Sequence, residues 1–384
     1  MGKGIKVTTA FETIQKHYRQ RDLAARECKK RGGKVVGYFC DSVPEEMILA
    51  AGFFPLRISG DPHGGTDIAR KNVLARFANR EDFVHSMFNM LLTGEYDFLD
   101  FLVIPHARDS IHRLYQVMAV VKESNHALKL PSLFFLDSAH TTFFSAGLYN
   151  RDRMLELKKQ LQEWSGKEIT DVALSQAIAI TNENKILLKK VAVLRAAEPP
   201  RISGVEALQI IGSSMCMLKE EHNKLLKEYL DGAEQLPARD GARLFVVGSP
   251  LDNLQLYEII ESCKAIVVAE DNCWGNRYSD VLIDTSLDPV EAVIERYHNK
   301  SPCSRMYPMS RRIEYCLRNV VEAKAQGVVF YVFEHDNAEA WETPDKIKKL
   351  EEKGIPTMYL KNQPYLISDH KQIKNSIIEF ITAV

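Results

Sequence analysis

No two of the seven cysteines are spaced as a CxxC pair; they stand at Cys28, Cys40, Cys216, Cys263, Cys273, Cys303 and Cys316. That spacing excludes a zinc ribbon or a compact ferredoxin-type site. Any metal site has to be assembled from distant loops. Seven thiols are odd in number and few for 384 residues. A disulfide scaffold is excluded, and the reducing cytoplasm is the expected compartment. Net charge is also lacking: 50 basic against 51 acidic residues leave −1, so no basic footprint for nucleic acid is expected. No apolar run approaches the ~20 residues of a membrane span, and residues 1–6 lack the apolar stretch of a signal peptide. Neither membrane nor nucleic acid is an expected partner. No Walker, dinucleotide or nucleophile-elbow pattern is complete, so acyl transfer through a Ser–His–Asp triad has no support.

What the chain does have is a globular composition, 45% hydrophobic and 26% charged, enough for more than one core. Short apolar runs at residues 34–40, 53–58, 98–104 and 130–136 alternate with helical patterns, and a second set falls at 243–248, 265–269, 327–333 and 355–360. Such alternation predicts parallel, doubly wound sheets. Residues 8–31 read as helix up to Gly32-Gly33, and 150–235 as three or so helices by apolar periodicity. Gly232 to Gly241, with Pro237 and Asp240, has linker composition. The expected domains are 1–149 (helix plus first α/β unit), 150–237 (helical bridge) and 238–384 (second α/β unit).

Ligands of open parallel sheets bind beyond the carboxyl ends of the strands, which directs attention to the polar residues there. Cys40 ends a strand before a helix start, Ser42-Val-Pro44-Glu45-Glu46. It reads as a ligand or nucleophile, or as a small buried hydrophobe. Cys273 sits in a glycine-containing turn with Arg277, and Cys303 in a polar loop; both read as ligands. Cys28, Cys216, Cys263 and Cys316 fall within helical patterns and read as core. His106, Arg108 and His112 follow a strand, as a solvated loop or as an anion or carbonyl site at a helix start. Glu334-His335-Asp336 ends a very apolar strand, a costly placement unless a ligand or partner uses it. Ser249, between Gly248 and Pro250, is a weaker candidate for cradling a phosphate.

Residues 37–56, from Gly37 through Cys40, Pro44, Glu45, Glu46 and Gly52 to Pro55, resemble the first signature of the 2-hydroxyacyl-CoA dehydratase and benzoyl-CoA reductase subunits. Later landmarks are similar in order: Phe101 to Pro105; Glu270 through Cys273, Gly275 and Arg277; Ser301-Pro302-Cys303 with Arg311 or Arg312; and Gly327-Val-Val-Phe. The resemblance spans about residues 30–365. It implies two flavodoxin-like domains with intervening helices, a homologous second subunit, and a [4Fe–4S] or double-cubane cluster beside an acyl-CoA thioester. It also implies a separate ATP-hydrolysing iron–sulfur activator that supplies one low-potential electron, with reduction of the thioester to a ketyl radical as the route.

Two departures bear on the cluster. The family's second motif carries a cysteine where this chain has Arg108, and its C-terminal Phe-Cys-Asp is replaced by Phe333-Glu334-His335-Asp336. A guanidinium has no lone pair to give iron, whereas an imidazole has. Cys40, Cys273 and Cys303, with His335, form an altered ligand set, or this is the subunit that no longer binds iron and shapes the acyl-CoA pocket instead. His106, Arg108 and Glu334 are the expected catalytic groups, and Ser249 and Arg277 the expected cofactor contacts. A double-cubane reductase of small molecules is the remaining alternative.

Overall fold

The structure, a computed structural model, describes residues 2–71, 81–125, 128–300 and 303–384, with side chains from Thr8 onward. Ser301 and Pro302 of the C-terminal landmark lie outside the described residues. Among the described residues, eight strands form two four-stranded parallel sheets. The first holds β1 (Val35–Tyr38), β2 (Phe54–Arg57), β3 (Phe101–Pro105) and β4 (Ser132–Leu136) in the order β2-β1-β3-β4. The second holds β5 (Ala242–Gly248), β6 (Ala265–Asp271), β7 (Gly327–Phe333) and β8 (Thr357–Gln363) in the order β6-β5-β7-β8. Every residue of β1, β2, β6 and β7 is buried. Parallel strands covered by helices on both faces have no solvent side, which is why the sequence reads as continuous apolar runs rather than alternation. This is the expected α/β class with two flavodoxin-like sheets.

Strand order reverses between β1 and β3, and again between β5 and β7. Loops leaving adjacent strands diverge at such a point and open a crevice. The third apolar run enters the sheet only at Phe101 because Asp100 is used as a brace: its carboxylate accepts the Val35 amide and pairs with Lys29 at 2.8 Å.

Four helices occupy the bridge: Phe144–Ser165, Asp171–Ala196, Gly204–Ser214 and Lys219–Leu230. Thr170 caps the second by accepting the Ala173 amide, and Ser203 and Glu206 form a reciprocal capping box on the third. The third and fourth of these helices part at Met215, whose carbonyl accepts the Arg57 amide of β2 at 3.1 Å. The Phe144–Ser165 helix crosses the expected 149/150 boundary. It packs on the first sheet together with the Pro289–Asn299 helix from the second half, around Leu157, Leu161 and Val293. The chain's N-terminal helix, Gly2–Arg19, also crosses between halves, with Tyr18 donating to the Asp252 carbonyl at 2.7 Å.

The 26-residue Asp171–Ala196 helix is about 39 Å long and links the sheets through buried charges. Lys185 pairs with Glu46 at 2.8 Å near the first sheet. Arg195 donates to the Val267 carbonyl at 2.6 Å and pairs with Glu270 on β6. Beside it, Lys219 reaches Glu45 at 3.0 Å, and Tyr278 donates to the same carboxylate at 2.5 Å. The acids that the sequence offered as helix-start residues are thus buried ties to the bridge and the second half. Among the described residues no helix is long and apolar enough to cross a membrane.

Candidate functional site

The carboxyl ends of the two sheets meet at a small cleft of about 50 Å³. Cys40, Asp41 and Ser42 enter it after β1, Ala107 and Arg108 after β3, Gly248 and Pro250 at the end of β5, and Cys273 and Arg277 after β6. Cys303 and Ser304 complete it. Three thiols that are 233 and 30 residues apart in sequence (Cys40 to Cys273, Cys273 to Cys303) therefore share one cleft.

Cys40 has φ +58°, the left-handed region that a non-glycine residue rarely adopts. The chain turns sharply there as β1 gives way to the Glu45–Ala50 helix. Burial, reinforced by Cys273 and opposed by Arg57, pushes its thiol up to about 12. Without a metal it is a neutral thiol at ordinary pH. Burial would likewise raise the Asp41 carboxyl, but Lys300 at 2.8 Å, with Arg57 and Arg277, holds it well below the usual carboxylate range. Arg277 is itself held by Asp271 at 2.9 Å.

Arg57, at the end of β2, touches the cleft's Cys273 and was missed by the sequence reading. Its Nη1 donates to the Cys273 carbonyl at 2.7 Å and its Nη2 to Cys273 Sγ at 2.9 Å. The guanidinium lies 4.2 Å from the centre of the Trp274 ring. The available signal was a charged residue closing a short buried strand, Phe54-Pro55-Leu56-Arg57.

Arg108 lines the cleft, but both ends of its fork are committed. Nη1 meets Glu81 at 2.7 Å and Nη2 meets Asp336 at 2.8 Å, all three side chains being buried. Asp109, its neighbour in sequence, pairs with Arg305, and Asp137 pairs with His106. Ser249 belongs to the same network: it donates to Asp336 at 2.6 Å and accepts the Phe333 amide at 2.9 Å. His106 is directed to Asp137 at 2.7 Å, and Asp137 also accepts from Tyr149 at 2.5 Å. Glu334 is exposed and pairs with His335 at 3.6 Å. Neither lines the cleft; of the Glu334-His335-Asp336 run, it is Asp336 that turns inward. Cys216, Cys263 and Cys316 are buried, and Cys28 is half-buried on the Leu23–Lys30 helix.

Three thiols on one cleft are a soft donor set, the chemistry that holds iron–sulfur clusters. Among the described residues, no three His, Cys, Asp or Glu side chains are grouped closely enough to hold a single metal ion. The donors' chemistry, sulfur from three cysteines, is the kind that suits a cluster.

The chain resembles known proteins along nearly its whole length. The profile of the family described as "2-hydroxyglutaryl-CoA dehydratase, D-component" matches residues 40–382. The beta subunit of (R)-phenyllactyl-CoA dehydratase from Clostridium sporogenes is 24% identical over 362 residues, covering 92% of this chain and 93% of that one. One of the benzoyl-CoA reductase subunits of Thauera aromatica is 27% identical over 349 residues, 88% of each chain. The beta subunit of (R)-2-hydroxyglutaryl-CoA dehydratase from Acidaminococcus fermentans is 24% identical over 357 residues, 91% of this chain and 92% of its own.

Proposed function

The chain belongs to the 2-hydroxyglutaryl-CoA dehydratase D-component family and is an enzyme subunit; from that premise we propose that it works with a homologous second subunit in the one-electron reduction of an acyl-CoA thioester. The reaction is the dehydration of a 2-hydroxyacyl-CoA or the reduction of an aromatic acyl-CoA. The observation that carries this reading is the convergence of Cys40, Cys273 and Cys303 on one cleft between two sheet ends. These thiols would hold a [4Fe–4S] cluster, which when bound supplies a single low-potential electron from an ATP-dependent activator.

The chain's own residues do the rest. Partial burial limits the access of water to the thiols. Arg57 fixes Cys273 by two contacts, and Lys300 keeps Asp41 ionised at the rim. Arg277 adds a cation to the cleft wall, where a thioester oxygen gaining charge or a CoA phosphate would be favoured.

One observation favours a second reading, that of a cluster-free partner. Arg108 occupies a strand end where the family motif has cysteine, and it is locked by two carboxylates. Anaerobic purification of the chain with its co-expressed partner, followed by iron and sulfide analysis of the separated subunits, decides. About four iron and four sulfide on this chain, lost in Cys40→Ser, Cys273→Ser and Cys303→Ser but kept in Cys316→Ser, is the expected result. Turnover with iron only on the partner would establish the cluster-free role. Full turnover by this chain and activator alone would overturn the heteromer.

A further inference from the structure

Arg57 is only 2% exposed, yet among the described residues no carboxylate pairs with it. Arg108, Arg195, Arg277 and Arg312, buried as well, each meet an acid. The acid whose charge bears on Arg57, Asp41, is already paired with Lys300 at 2.8 Å. A buried cation without a counter-charge is costly.

What Arg57 has instead is sulfur, a carbonyl and a ring. Nη1 donates to the Cys273 carbonyl at 2.7 Å and lies 3.2 Å from Met215 Sδ, and Nη2 donates to Cys273 Sγ at 2.9 Å. The Trp274 ring centre is 4.2 Å from the guanidinium. Of these partners only Cys273 Sγ can carry a full negative charge, and a cysteine that ligates iron does so as the thiolate. The counter-charge that the fold withholds from Arg57 therefore arrives with a metal centre.

We propose that Arg57 is a positioning residue for the iron–sulfur centre: it keeps its hydrogen bond to Cys273 Sγ when the centre is bound, and it holds the centre's potential less negative than the cysteines alone would. This rests on the reading that the cleft carries a cluster. One-electron reduction adds one negative charge to the bound group and breaks no bond. A buried cation and a hydrogen bond to a ligand sulfur both favour that added charge. The electron comes from the ATP-dependent activator proposed above, and from a europium(II) chelate in the test.

The test is an anaerobic redox titration of the chain with its co-expressed partner, using europium(II) chelates and following the reduced cluster by EPR. Iron and sulfide on the separated chain are measured first, and subtracting the Cys40→Ser complex isolates this chain's signal. At the potential that half-reduces the wild-type centre, Arg57→Gln should show a ratio of reduced to oxidised cluster about tenfold lower, equivalent to ~59 mV. Arg57→Lys keeps the charge, loses the fork and should shift less. Arg151→Gln, at an exposed ion pair with Glu291, is the control and should not shift. An iron-loaded Arg57→Gln protein with the wild-type potential overturns the proposal and leaves the cluster reading standing. A wild-type chain without iron overturns both. If Arg57→Gln takes up no iron, wild-type protein labelled with guanidino-15N arginine decides. Pulsed EPR should find a 15N coupling to the reduced cluster that Arg57→Lys lacks, and its absence from the wild type overturns the proposal.

Discussion

Arg57 Nη2 donates to Cys273 Sγ at 2.9 Å and so joins the end of a strand in the first sheet to the loop beyond a strand in the second. A charge-assisted hydrogen bond of this kind fixes the sulfur, together with the second contact to the Cys273 carbonyl. In the metal-free chain, Arg57→Gln should change the rate at which iodoacetamide alkylates Cys273 by several-fold. Arg57→Lys should fall between, since an ammonium cannot grip the carbonyl and sulfur together. Mass spectrometry of the Cys273 peptide reads the rate, with Cys28 as the internal reference. Equal rates in all three proteins would mean that the contact does nothing for the sulfur.

Arg108 is a structural cation before it is anything else. Arg108→Met would leave Glu81 and Asp336 buried without a counter-charge, and the expected loss is about 3–5 kcal/mol. Urea denaturation measures it. Adding Glu81→Gln and Asp336→Asn to that variant should recover part of the loss, because the stranded charges then disappear. An Arg108→Met protein as stable as wild type would contradict the assignment.

Gly275 is required by a neighbour rather than by its own backbone. A Cβ there would lie 2.2 Å from Glu270 Oε1, the oxygen that accepts the Asn276 amide at 2.8 Å. Gly275→Ala should cost ~1–3 kcal/mol by overpacking and should loosen the turn that carries Cys273 and Arg277. Gly65, where an added methyl would meet nothing within 4 Å, is the control. Thermal melts of the two alanine variants should differ clearly, with Gly65→Ala close to wild type.

Acid sensitivity should trace in part to His222. It is fully buried, accepting from Asn184 at Nδ1 (2.8 Å) and donating from Nε2 to the Ile210 carbonyl (3.0 Å). Burial first, and the Lys219 charge second, push its imidazole from 6.5 down to about 3. The unfolded chain therefore takes up this proton before the folded chain does. The stabilisation is complete above pH ~6.5 and is lost as pH falls toward 3, at up to ~1.4 kcal/mol per unit. His222→Gln should flatten the fall in urea midpoint between pH 6.5 and 4.5. An unchanged slope would show that this imidazole does not set it.

Eight apolar runs were enough to read both sheets, because a strand covered on both faces can only be apolar. The strand-end rule led from there to Cys40 and Cys273, and the polar loop at 300–305 to Cys303. Which polar residue faces the cleft was less legible. Asp336 and Glu334 are two positions apart at the same strand end, yet one is buried in an ion network and the other exposed. The partners of Arg108 were not legible because Glu81 lies 27 residues away and Asp336 lies 228 away. Nothing local marks such partners. Arg57 was overlooked for the same reason: its targets are on Met215 and Cys273, set beside β2 only once the bridge helices have packed.

The buried ion pairs along the Asp171–Ala196 helix have a mechanical consequence. Swinging the two sheets apart would strip Lys185 from Glu46 and Arg195 from Glu270 inside a dry interior, at a cost of several kcal/mol for each stranded charge. Hinge-like breathing is thereby suppressed. The separation between groups on opposite sheets, such as Cys40 and Cys273, is a constant of the fold during turnover, and any reactant must reach the cleft with its two walls already at their working distance.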